Sequence, residues 1–193
     1  VSLFAVGAGS GSDIRISGAD IAGQSGTRLA AENQIHISAA GQSHKEQRNN
    51  RQAGFNAGVA LDFSNGVSFG ITAGGNYGKG YGNSNEAAHL GSHIGSSQSA
   101  TTLQSGGSTT LKGAQVFGSS IELDAQSLHI ASLQNRAAHQ SRQYQGSAQI
   151  TVGYGVSGSG DFSHSQIRAD HASVAEQSGL FAGDGGYRVN VQN

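Results

Sequence analysis

The chain has 193 residues, among them 31 glycines and no proline, cysteine, methionine or tryptophan, and its formal net charge is −1. Near-neutrality excludes the strong self-repulsion of charged disordered chains, and the lack of cysteine excludes a disulfide framework. No apolar run approaches the roughly 20 residues that a membrane helix needs. No charged, apolar, small-residue leader precedes Val1-Ser2-Leu3, so a processed or excised piece is expected.

At the N-terminus, Leu3-Phe4-Ala5 leads through Gly7, Gly9 and Gly11 to Ile14 and Ile16. From Asp13 to Ser38 the apolar positions Ile14, Ile16, Ile21, Leu29, Ile35 and Ile37 alternate with small or polar residues. That pattern predicts short strands joined by glycine turns over residues 1–40. Gly18-Ala19-Asp20-Ile21-Ala22-Gly23 then returns as Gly113-Ala114-Gln115-Val116-Phe117-Gly118, and Leu180-Phe181-Ala182 with Gly183, Gly185 and Gly186 repeats the opening motif. Ile16 to Ile37 is 21 positions and Leu111 to Ile130 is 19, a coil length typical of a parallel β-helix with two or three short strands per turn. We therefore expect coils over 1–40, 101–133 and 178–193. Ile16, Ile37, Leu111, Ile130 and Val189 should stack inside. No coil buries enough to stand alone, so each depends on its neighbours.

Two long excursions, 41–100 and 134–177, interrupt these coils. They match each other: Arg51-Gln52 corresponds to Arg142-Gln143, and Ala57, Val59, Leu61 and Phe63 to Ala148, Ile150, Val152 and Tyr154. In the first, Phe55, Ala57, Val59, Leu61 and Phe63 alternate with small or polar residues, Ser64-Asn65-Gly66 intervenes, and alternation resumes through Val67, Phe69 and Ile71. This predicts an antiparallel hairpin turning at Asn65-Gly66. The second excursion predicts another, with its turn among Gly153, Gly155, Gly158 and Gly160. Glu86 to Leu90 reads as one helical turn on the return from the first. A lone two-stranded hairpin is marginal in water, so its apolar face is expected to pack within the molecule, along the coils or on the second hairpin, the alternative being contact with another molecule. The opposite face, with Asn56, Asp62 and Ser68, would then point outward. Together with Arg48 and Arg51 from the basic run His44 to Arg51, these residues are the candidate contact surface.

Other chemistry finds little support. His89 and His93 have the spacing of two ligands on one helix face, but Gly91 disfavours that helix and no Glu follows His89, so no metal site is expected. His36 and His129 occupy equivalent outward positions. Gly183-Asp184-Gly185-Gly186 carries one Asp where a calcium β-roll needs a tandem repeat, and is read as a glycine turn. The acidic residues are scattered, so no catalytic constellation and no cofactor are expected. The chain is not read as an enzyme. The near-neutral charge argues against nucleic acid as a partner.

The run Ser108 to Gly118, the flanking Thr102 to Gly106 and Leu128 to Gln134, and EQSGLFAGDGGYRVNV from Glu176 to Val191 resemble the haemagglutinin repeats of filamentous haemagglutinin-like exoproteins. The resemblance implies an all-β, right-handed parallel β-helix with the two hairpin excursions. It also implies export from a Gram-negative bacterium through an outer-membrane two-partner-secretion transporter, and display at the cell surface. The role it implies is adhesion to a host or neighbouring cell through protein or glycan. The alternative is a stalk in contact-dependent growth inhibition that delivers a toxin.

Overall fold

The computed structural model describes residues 1–62, 68–153 and 155–192. The described chain is almost wholly β, with one short 3-10 turn at Gly9–Gly11, and it forms two compact units. The first comprises Val1–Ser43, Ala87–Arg136 and Ala172–Asn193, and the second His44–Glu86 and Ala137–His171.

The first unit is built from parallel ladders. In one, β2 (Ile14–Ser17), β5 (Ile35–Ser38), β10 (Ser108–Lys112) and β12 (Ser127–Ala131) lie side by side, with Ile16, Ile37, Leu111 and Ile130 in register. A second runs through β3 (Asp20–Ile21), β8 (Ser92–Ser96) and the first half of β11 (Ala114–Ala125) to β15 (Gly179–Val191). It aligns Ile21, Ile94, Val116 and Leu180. The third runs through β1 (Ser2–Ala5), β4 (Thr27–Ala31), β9 (Thr101–Ser105), the second half of β11 and the end of β15, aligning Leu3, Leu29, Leu103, Leu123 and Val189. All three contribute to one aliphatic core, in which Leu29, Ile35, Ile37, Ile94, Leu103, Leu111 and Leu123 are fully buried.

Period-two alternation explains the inward columns, and parallel in-register pairing stacks like on like. The corners are set by glycine. Gly18 and Gly113, equivalent in the two repeats, have φ of 57° and 68°, and a Cβ on either would lie 2.5 or 2.7 Å from the Cβ of Ala40 or Ala39. Only glycine meets both demands. Buried hydroxyls close the remaining turns: Ser92 donates to the Ser38 carbonyl at 2.7 Å, Ser99 to Gly23 at 2.9 Å and Thr101 to Phe117 at 2.6 Å. Among the described residues no buried side-chain polar atom lacks a partner, as a tightly turned chain requires.

Three expectations are corrected. Ile130 and Val189 keep their register with Leu111 and Leu123 but are 40% and 44% exposed, because β12 and β15 are the last strands of their ladders. Glu86 to Leu90 is not a helical turn but the end of strand β7 (Ser68–Leu90), where ladder pairing outweighs a weak local helix preference. Ser92–Ser96, placed by sequence within the excursion 41–100, is a strand of the parallel ladders.

The second unit is a four-stranded sheet in the order β14-β13-β7-β6, where β6 is Ala40–Asp62, β13 is Asn135–Val152 and β14 is Val156–Ser173. Both hairpins are antiparallel. Gly54 faces Asn76, Gly58 faces Thr72, Gly78 faces Gln52 and Gly82 faces Arg48, so advance along β6 is matched by retreat along β7. The hairpins join through β7 and β13, where Gly70 meets Gly153 and Gly74 meets Gln149. The expected Asn65-Gly66 turn, with Phe63 and Val67, lies outside the described residues, as does Tyr154.

Candidate contact surface

Alternation along these strands separates two faces of the hairpin sheet. One carries Phe55, Val59, Leu61, Phe69, Ile71, Ile150, Val152, Val156 and Phe162, all exposed, with Phe55 at 92% and Phe162 at 75%. The expected burial of this face is thus corrected for its described residues. The hairpins meet edge to edge, which satisfies backbone hydrogen bonds but leaves side-chain faces uncovered.

Farther along the strands the same face becomes aromatic and basic. Arg51 Nε donates to the Tyr77 hydroxyl at 3.2 Å, with its guanidinium 5.8 Å from the ring centre. Lys79 lies 4.7 Å from the centre of the Tyr81 ring. Tyr144 and His164 stack across β13 and β14 at 4.6 Å. The Tyr77 and Tyr81 hydroxyls hold the pKa values of Arg51 and Lys79 above their ordinary range.

The opposite face is polar. Gln52, Asn76, Gln145, Ser147, Asp161 and Ser163 line a shallow depression on it. Such amides and hydroxyls can donate to and accept from a polar ligand.

The five residues singled out by sequence do not share one face. Arg48 pairs with Glu46, Asn56 lies against Gly74 from β6, and both belong to the polar side. Arg51 lies on the apolar and aromatic side. Asp62 ends β6 and Ser68 begins β7, and their side chains lie outside the described residues. Sequence reasoning missed the contributions of Tyr77, Lys79, Tyr81, Tyr144, Val156, Phe162 and His164. Their signal was alternation in Tyr77, Lys79 and Tyr81 and again in Phe162 and His164, masked by the intervening glycines.

The histidine pair separates in the fold. His89 sits in β7, its backbone N–H donating to Asn135 Oδ1 at 2.8 Å. His93 sits in β8, with Nδ1 2.7 Å from Asp20 Oδ1 and Nε2 3.1 Å from Glu176 Oε2. Asp20, first of all, and then Glu176 raise the His93 pKa against the opposing effect of burial. The arrangement ties β3, β8 and the segment entering β15. Among the described residues no cluster of His, Cys, Asp or Glu is suited to a metal ion.

Residues 3–148 match the hemagglutinin repeat family. The chain is 33% identical over 186 residues to the "tRNA nuclease CdiA" of Yersinia mollaretii, and 35% identical over 187 residues to the "Toxin CdiA" of Escherichia coli. Each alignment covers 94% of this chain and 6% of the relative. The "Deoxyribonuclease CdiA" of Yersinia pseudotuberculosis serotype O:3 is 29% identical over 198 aligned positions, covering 99% of this chain and 18% of that protein.

Proposed function

We propose that this chain, which belongs to the hemagglutinin repeat family, is a non-enzymatic structural and adhesive segment within a large secreted, surface-displayed exoprotein of a Gram-negative bacterium. In this reading the parallel unit is a right-handed parallel β-helix serving as a rigid spacer, and the hairpin sheet meets a host or neighbouring cell. The longer protein reaches the surface through an outer-membrane two-partner-secretion transporter. The observation that carries the contact role is the open apolar face from Phe55 to Phe162 with its basic and tyrosine-rich margin. Contiguous exposed apolar surface of this kind marks interaction sites. Of the residues expected from sequence, Arg51 lies on this margin and would add a charged contact, whereas Arg48 and Asn56 belong to the opposite face. The test is binding of the purified chain to cells: replacing Phe55 and Phe69 by Ser should abolish attachment without unfolding the protein. Undiminished attachment would rule out this face.

A second reading, a stalk in contact-dependent growth inhibition, is favoured by the names of the relatives that cover 94% of the chain. The chain spans only about 6% of those relatives, so nuclease activity is said of them and not of this segment. Deleting the segment from the full-length protein separates the readings. Adhesion predicts lost cell attachment, whereas a stalk role predicts retained attachment with lost inhibition of neighbours.

A further inference from the structure

Taking the hairpin face as the contact surface, we propose that its basic and tyrosine-rich band binds a linear sulfated polysaccharide, an inference that rests on that reading. The register gives the band its order. Gly54 against Asn76 and Gln52 against Gly78 set β6 on β7, and Gly70 against Gly153 and Gly74 against Gln149 set β7 on β13. The Tyr144–His164 stack sets β13 on β14. Counted along the strands from those contacts, Arg51, Lys79, Tyr144 and His164 form one row across the sheet, and Asn49, Tyr81, Arg142 and Gln166 the next. Gln47, Asn83, Gln140 and Arg168 form a third. Tyr81, Asn83, Gln140 and Arg142 line one depression, as that order requires.

Charge is sorted between the two faces. The three rows hold Arg51, Lys79, Arg142 and Arg168 and no carboxylate, while Glu46, Glu86 and Asp161 alternate to the polar side. Asp170, one row farther out, is the carboxylate nearest the band on its own side. Among the described residues none of the four cations has a carboxylate partner. Arg51 and Lys79 stand directly opposite on neighbouring strands, where like charges repel, and an anion laid across them relieves that repulsion. A single phosphate suits converging cations and backbone N–H groups. Here the cations are spread over a sheet, about 4.8 Å from strand to strand and about 7 Å from row to row, which suits single charges strung along a polymer. Asn49, Asn83 and Gln140, set between the cations, can donate to and accept from the hydroxyls of a saccharide. The Tyr77 and Tyr81 rings already carry Arg51 and Lys79 over them. They hold those cations in place and are not free to stack on nucleic-acid bases.

The test titrates the purified chain with dextran sulfate, uncharged dextran, a single-stranded oligonucleotide, and vesicles of phosphatidylcholine with phosphatidylglycerol. Dextran sulfate should bind most tightly and dextran not at all, with affinity falling as salt rises. Lys79→Gln combined with Arg142→Gln, its fold checked by circular dichroism, should weaken dextran sulfate binding about tenfold. Arg15→Gln combined with Arg48→Gln removes the same charge outside the band and should leave binding nearly unchanged. Equal weakening by the two pairs would reduce the effect to net charge and overturn the proposal. So would absent dextran sulfate binding, or tighter binding of the oligonucleotide or the vesicles. Cell attachment separates this inference from the reading beneath it. Attachment that depends on Phe55 and Phe69, in a chain that does not bind dextran sulfate, overturns the polysaccharide and keeps the contact face. Dextran sulfate binding that depends on Lys79 and Arg142, with attachment indifferent to Phe55 and Phe69, keeps the polysaccharide and removes the apolar face.

Discussion

Leu111 and Ile130 are neighbours in one column, yet their surroundings differ sharply. Leu111 is enclosed between Ile37 and Ile130 with no exposed surface, whereas Ile130 has a strand on one side only. Leu111→Ala should cost about 2–5 kcal/mol and Ile130→Ala clearly less, because the latter site already meets solvent and leaves a smaller cavity. Denaturant titrations read both, and equal losses would contradict the assigned core. Gly113 is a backbone requirement of a different kind. Its positive φ and the crowding by Ala39 and Leu133 make Gly113→Ala destabilising by about 1–2 kcal/mol from the left-handed backbone alone, with the clash added. A melting temperature unchanged by that substitution would count against the corner. His93 introduces pH. Its folded pKa is raised by Asp20 and Glu176, so the stability it contributes is fully present below the unfolded value near ~6.5. It is lost as pH rises through the higher folded value. His93→Asn should flatten stability over that window while leaving the more alkaline end little altered. An unchanged pH profile would remove the bridge from the account.

At the scale of elements, the short parallel strands were legible because two signals agreed. Alternation marked Ile14, Ile16, Ile35 and Ile37 as one face, and the recurrence of Gly18 to Gly23 as Gly113 to Gly118 located the corners. The existence of antiparallel hairpins was legible from Phe55 to Leu61 and from Phe69 to Ala73 in the same way. Where their apolar face would lie was not, since periodicity reports that a face exists and not what covers it. The parallel strand Ser92–Ser96 escaped notice because it offers one aliphatic residue, Ile94, between Ser92, His93 and Gly95. Its place is fixed by the neighbours Ile21 and Val116, far away in sequence. The contact residues were read from one hairpin, so Arg48 and Arg51 were grouped although adjacent odd and even positions point to opposite faces. Exposure of Phe55 and Phe69 has a direct consequence for stability. Replacing both by Ser should leave the melting temperature nearly unchanged, as surface substitutions generally do, within about 0.5 kcal/mol each. A large drop would show that the face is covered in solution.

For the molecule as a whole, the parallel unit depends on nearest neighbours, because each parallel strand buries only part of its own apolar surface. The strands β5 and β10 have a partner on both sides and are fully buried at Ile37 and Leu111, while β12 and β15 leave Ile130 and Val189 partly in water. Stability in such arrays is approximately a sum of unit and interface contributions, so an added unit brings a new interface along with its own ordering cost. A chain carrying one further repeat against β12 and β15 should therefore cover Ile130 and Val189. Full burial of such side chains is worth about 1.5–3 kcal/mol each, and the half already gained reduces what remains. The melting temperature of the longer chain should rise, and amides of β12 and of the Tyr187 to Val191 segment should become more protected from hydrogen exchange, with β10 little altered. If the extended chain melts no higher and protection at β12 is unchanged, the open ladders are true ends and not surfaces prepared for another coil.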